Sequence, residues 1–178
     1  MTDSFPHAFF SRHWQAPEQL TLTALEQHWL QATDSMTARL QALGKLSVQS
    51  LNETSAQLAD DEADFLCLPA GSDCLLREVL LCVDAAPCIF ARSLLPLTSL
   101  SGANAVLASM AARPLGSELF RAPVAERRLM QACRLPAAQL PETIAATDNL
   151  LARRSLFFKN GLPLLVAECF LPALWSRL

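Results

Sequence analysis

The chain has 178 residues, of which 52% are hydrophobic and 17% charged, with a formal net charge of −3. That length suits one ordinary domain, read as 1–178, with a core able to stand without staples. The negative balance and the lack of a Lys/Arg cluster speak against a nucleic-acid partner. The apolar stretches, such as Leu162 to Val166, are far shorter than the roughly 20 residues a membrane helix needs. The surplus apolar content instead suggests a sheet covered on both faces, or a buried apolar cavity. Met1 to Phe10 carries Asp3, Pro6 and His7 where a secretion signal would be apolar, so a cytoplasmic protein is expected.

In chain order, Thr23 and Glu26 have capping-box spacing, and Leu22, Leu25 and Trp29 follow at helical intervals. A second helix starts at Asp34-Ser35 and carries Met36, Leu40 and Leu43 on one face, with Gly44 as its stop. Lys45 to Leu51 alternates and reads as a strand. Asn52 to Asp64 is polar and acidic and reads as an exposed loop. Leu75 to Val83 and Cys88 to Leu95 form a hairpin about Asp84-Ala85-Ala86-Pro87.

Gly102 to Ala112 is Ala-rich and reads as helical, and Pro114-Leu115-Gly116 breaks the chain before a short apolar segment ending at Phe120. Ala125 to Leu135 reads as a strand, and Pro136 to Asn149 as a loop with a helical turn. The clearest hairpin is Arg154 to Lys159 and Leu164 to Leu171 about Asn160-Gly161. Two helices followed mainly by hairpins make an α+β domain built on an antiparallel sheet.

The six cysteines (67, 74, 82, 88, 133, 169) form no CxxC pair. The three His (7, 13, 28) all sit near the N-terminus. A zinc site is therefore not expected, and the thiols read as reduced and in part as small hydrophobes. A GxGxxG or Walker-type loop is absent, so nucleotide binding has no support. Arg127-Arg128 and Arg153-Arg154 read by default as solvated pairs.

Two charges stand out. Period-2 alternation puts Arg77 on a face with Val79, Leu81 and Val83, and puts Glu168 on a face with Leu164, Val166 and Phe170. A buried charge needs a partner. Either Arg77 and Glu168 pair with each other, or lie at exposed strand ends, or both line a cavity whose ligand supplies the partners. An Arg fork suits a carboxylate, and a Glu in an apolar pocket can hold or exchange a proton. Alternation alone leaves these readings open.

Several segments resemble chorismate pyruvate-lyases, in the same order. They are Asp34-Ser35-Met36-Thr37, Leu76-Arg77-Glu78-Val79-Leu80-Leu81-Cys82, Leu97-Thr98-Ser99-Leu100-Ser101-Gly102, Pro114-Leu115-Gly116 and Arg153-Arg154-Ser155. The run Gly161-Leu162-Pro163-Leu164-Leu165-Val166-Ala167-Glu168-Cys169-Phe170-Leu171-Pro172 completes the set. The resemblance implies a central antiparallel sheet with flanking helices and a buried ligand pocket under flaps. It implies cofactor-free elimination of pyruvate from chorismate, leaving 4-hydroxybenzoate for ubiquinone synthesis, in a soluble monomer.

The family's ligand-contact positions fall on Met36, Arg77, Leu115 and Glu168. Arg77 would clamp the ring carboxylate with the Leu115 N–H, Gly116 would let the backbone approach the ligand, and Glu168 would bond the ring hydroxyl. Arg77 and Glu168 are thus the expected catalytic pair. Two alternatives stand beside this. One is a non-catalytic sensor domain of the same fold, though such a regulator should also carry a helix-turn-helix, for which there is no room before residue 30. The other is a related lyase making a different hydroxybenzoate.

Overall fold

The computed structural model describes residues 14–110, 113–142, 144 and 149–178. The Met1 to Phe10 reading, two of the three His, the end of the Ala-rich segment and part of the Pro136 to Asn149 loop lie outside them.

Six antiparallel strands form one sheet in the order β1-β2-β3-β6-β5-β4. They are β1 (Leu46–Gln57), β2 (Asp73–Val83), β3 (Ala86–Pro96), β4 (Glu126–Leu135), β5 (Leu150–Lys159) and β6 (Leu162–Phe170). The helices are α1 (Ala24–Leu30), α2 (Met36–Gln41), α3 (Asp60–Leu66), α4 (Gly116–Leu119) and α5 (Pro172–Trp175).

Local chemistry explains most boundaries. Thr23 caps α1 by accepting from the Glu26 N–H at 3.2 Å, while Glu26 accepts from the Thr23 N–H at 2.9 Å, the reciprocal capping box. Ser35 caps α2 through the Ala38 N–H. Both hairpins turn on two left-handed residues: Asp84 and Ala85 at φ 48° and 66°, and Asn160 and Gly161 at φ 50° and 79°. Such turns match the right-handed twist of the flanking strands. The first turn is therefore tighter than the expected four residues, and Pro87 already pairs with Cys82 inside β3, at a bulge.

The Asn52 to Asp64 segment is not a loop. β1 runs on through Asn52, Glu53, Thr54 and Ser55, paired with Glu78, Arg77, Leu76 and Leu75. An edge strand satisfies its backbone on one side only and tolerates polar residues, so its composition imitates a loop. Asp60, Asp61 and Glu62 then open α3, where acidic residues suit the helix dipole. The Ala-rich stretch is a 3-10 segment, Gly102–Ser109.

One face of the sheet packs Leu76, Leu80, Phe90, Leu94, Leu165 and Ala167 against Ala63, Phe65 and Leu66 of α3. Charges hold α3 down as well. Arg92 donates to Glu78 at 2.9 Å and to Glu62 at 3.1 Å, and Arg154 donates to Asp61 at 3.1 Å and to Gln131 at 2.8 Å.

The other face carries two separate apolar clusters. One joins Trp29, Leu30, Met36 and Leu40 to Val79, Leu81 and Phe170. The second joins Met110, Leu115 and Leu119 to Leu95, Phe157 and Val166. A pocket opens between them.

All six cysteines are free, and five of them are buried. Burial pushes the Cys74 thiol up to about 11 and the Cys133 thiol up to about 12, so these are packing residues rather than nucleophiles. Among the described residues no cluster of His, Cys, Asp or Glu could hold a metal ion, and no helix is long and apolar enough to cross a membrane.

Candidate active site

The pocket is floored by β2, β3, β5 and β6 through Arg77, Val79, Ala91, Ser93, Phe157, Val166 and Glu168. α2 contributes Met36 and Thr37 to its wall, and the chain around α4 contributes Leu115, Gly116, Leu119 and Phe120. Met36, Arg77, Leu115 and Glu168 thus all line one cavity, although 132 positions separate the first from the last. Two further arginines line it, Arg127 and Arg153.

Arg77 and Glu168 do not form the mutual salt bridge that alternation left open. In the sheet Arg77 is opposite Ser93, and Ser93 is opposite Val166, two residues short of Glu168 on β6. Two strand spacings across and two residues along put the Cα atoms about 12 Å apart. Each charge has its own partner instead. Arg77, 2% exposed, donates from Nε to Glu53 at 2.8 Å, and from Nη2 to the Arg113 carbonyl at 3.4 Å. Glu168, 7% exposed, accepts from the Arg153 Nε at 2.6 Å through Oε2. Its Oε1 receives no hydrogen bond from the described residues.

Arg153 corrects the reading of Arg153-Arg154 as a solvated pair. It is 1% exposed, the largest fully buried side chain in the described chain. Nη1 donates to the Leu30 carbonyl at 2.8 Å, in the last turn of α1, and to the Ala32 carbonyl at 3.1 Å, just beyond it. One guanidinium therefore fixes both Glu168 and the chain leading into α2. Arg154 points to the opposite face and is also buried.

Arg128 is exposed, as read, but Arg127 is half-buried: its Nη1 donates to the Ala32 carbonyl at 2.7 Å, and its guanidinium lies 4.8 Å over the Phe157 ring. A signal was available in the sequence. Arg153 shares a strand face with Leu151, Ser155 and Phe157, an alternation that argues for burial as it did for Arg77.

Gly116 lines the pocket and has a packing role beside the expected one. A Cβ built there would lie 2.7 Å from the Thr37 Oγ1 and 3.6 Å from the Ser35 Oγ, both on the cap of α2. The missing side chain lets α4 seat against α2, closing the wall of the pocket. Gly116→Ala is expected to cost about 1–3 kcal/mol by overpacking, and adding Thr37→Ala should restore most of the loss. Thermal unfolding of the two single variants and the double variant checks this; additive losses would refute the contact.

The family model described as "Chorismate lyase" matches residues 10–178. The chain belongs to the chorismate lyase family. A relative named "Probable chorismate pyruvate-lyase" from Alcanivorax borkumensis is 42% identical over 93% of this chain and 78% of its own length. "Probable chorismate pyruvate-lyase 1" of Pseudomonas fluorescens is 36% identical over 94% of this chain and 93% of its own.

Among solved structures, the fold of this family member resembles a GntR-family transcriptional regulator from Bacillus cereus. That match has a TM-score of 0.53, 14% identity, and covers 73% of this chain and 94% of the other. PhnF from Mycobacterium smegmatis gives a TM-score of 0.59 at 11% identity, over 80% of this chain and 66% of the other. At such identities the likeness is one of fold, and it agrees with the expected sheet and flanking helices.

Proposed function

We propose that this protein is a chorismate pyruvate-lyase that converts chorismate to 4-hydroxybenzoate and pyruvate. The observation that carries the reading is the convergence of Met36, Arg77, Leu115 and Glu168 on one pocket, in a chain of the chorismate lyase family. The regulators of similar fold bear on architecture, whereas the family match and the relatives favour an enzyme over a sensor.

The substrate's two ends ask for different chemistry. The ring carboxylate needs a fork of donors, and Arg77 supplies one from a buried position, assisted by the Leu115 N–H. The ring hydroxyl, para to that carboxylate, donates to Glu168 at Oε1, while Arg153 fixes Oε2. The chain around Met36 closes this end.

The reaction needs no external oxidant. The C3–O bond breaks and its electron pair leaves with the enolpyruvyl oxygen. The C4–H bond supplies the pair that makes the ring aromatic. The enolpyruvate takes a proton at its methylene carbon and becomes pyruvate, so the hydrogen lost by the ring is balanced by the one that pyruvate gains.

Aromatisation drives the step, and the pocket supplies orientation, a contribution that reaches roughly 7–11 kcal/mol in favourable cases. We assign the C4 proton to Glu168, a step that general base catalysis would reward by about 10²–10⁴-fold. On this reading the chain works as a single cytoplasmic domain and a monomer, needs no metal or organic cofactor, and feeds ubiquinone synthesis.

Incubation with chorismate while pyruvate release is followed tests the activity, and chromatography of the aromatic product tests which hydroxybenzoate forms. Binding without turnover would favour the sensor reading. For the proton, Glu168→Gln keeps shape and a hydrogen bond while removing the base. A fall in kcat of about 10²-fold or more is expected, with chorismate KM little changed; full turnover in that variant would eliminate Glu168 as the base.

A further inference from the structure

Chorismate carries a second carboxylate, on the enolpyruvyl arm at C3, next to the hydroxyl-bearing C4. Arg77 and Glu168 account for the ring carboxylate and the hydroxyl only. If the lyase reading holds, an anion must also be received beside Glu168, away from water, and a buried carboxylate without a partner is costly.

Two cations stand at that end. Arg153 is already balanced, through its 2.6 Å bond to Glu168. Arg127 is not. Its Nη1 shares the Ala32 carbonyl with Arg153, at 2.7 and 3.1 Å, so the two guanidinium groups meet at one point beside Glu168. Phe157 supports it from below. The Arg127 Nε is buried and has no acceptor among the described residues, and no carboxylate there lies within salt-bridge distance of the side chain. Glu168 and Asp34 act on it only through the field, against the like charge of Arg153. Burial, followed by that repulsion, pushes Arg127 down to about 10, which still leaves it protonated at neutral pH.

We propose that Arg127 binds the carboxylate of the enolpyruvyl arm, and so selects a dianionic substrate over its monoanionic product. This rests on the lyase reading of the same pocket. It gives the three arginines lining the pocket separate tasks: Arg77 for the ring carboxylate, Arg153 for Glu168, and Arg127 for the leaving group. Neutralising that carboxylate also makes enolpyruvate a better leaving group as charge moves onto its oxygen. Once pyruvate departs, 4-hydroxybenzoate offers Arg127 nothing.

Two aromatic ligands that cannot eliminate isolate the effect: 3-(carboxymethoxy)-4-hydroxybenzoate, a diacid, and 3-ethoxy-4-hydroxybenzoate, its monoacid counterpart. The full-length wild-type protein should bind the diacid about 10–100-fold more tightly, the scale of one charge-assisted hydrogen-bonded contact. Arg127→Met should erase the preference and raise the chorismate KM, while 4-hydroxybenzoate affinity stays unchanged; Arg127→Lys should keep part of the preference.

The proposal is overturned if wild type shows no preference, if folded Arg127→Met keeps it, or if that variant weakens 4-hydroxybenzoate as much as the diacid. Should Arg127→Met fail to fold, the wild-type comparison and Arg127→Lys decide. Failure of the lyase reading looks different, because the wild-type protein would then release no pyruvate from chorismate.

Discussion

Arg77→Ala is expected to weaken binding of 4-hydroxybenzoate by roughly 100- to 1,000-fold, the cost of removing one side of a desolvated, hydrogen-bonded charge pair. The protein should nevertheless stay folded. Arg77 is almost fully buried, but its ionic partner Glu53 sits on the edge strand β1 with its side chain 32% exposed. Water can therefore take over the Glu53 carboxylate when the guanidinium goes, so no uncompensated buried charge remains. Calorimetric titration with 4-hydroxybenzoate, alongside a circular dichroism melt, separates the two effects. Near-normal affinity would sink the carboxylate clamp; unfolding would mean that Arg77 holds β1 and not the ligand.

Arg153→Met should behave the opposite way, losing the fold before it loses the ligand. Its partner Glu168 has a side chain only 9% exposed, in the middle of the sheet, so removing the cation strands a carboxylate away from water. Breaking a buried pair in this manner costs about 3–5 kcal/mol. For a domain of this size that lowers Tm by about 6–20 °C. The Leu30 carbonyl also loses its Arg153 donor and the Ala32 carbonyl one of its two, which loosens the entry to α2. The double variant Arg153→Met, Glu168→Met removes both charges and should recover much of the stability while remaining inactive. If Arg153→Met alone melts like wild type, the pair is not what orients Glu168.

The sequence made some of this readable and hid the rest for definable reasons. Capping boxes, Asn-Gly turns and period-2 alternation are local, and they located α1, the β5–β6 hairpin and the shared faces of Arg77 and Glu168. The partners of those charges are not local. Arg153 reaches acceptors 121 and 123 positions away, and no window along the chain contains both ends. The same distance concealed α3. Asp61 and Glu62 look like solvent-facing residues until Arg154 and Arg92, from two different strands, are brought over them. Composition counts charges, but only the folded sheet cancels them. Four candidate ligand positions came from a resemblance in segment order, and the roles of Arg153 and Arg127 were missed because an Arg pair is usually wet.

The strand order carries one more consequence. β2–β3 and β5–β6 are each a tight hairpin with its own two-residue turn, and they meet along the β3–β6 ladder. Arg77 belongs to the first hairpin and Glu168 to the second. On the proposed binding mode, a ligand gripped at both ends would lie as a stitch across the seam where the two hairpins are joined. Its binding energy would then be realised only with that seam closed, so occupancy would add to the cohesion of the sheet. Releasing product and loosening the join between the hairpins would, on that mode, become in part a single event.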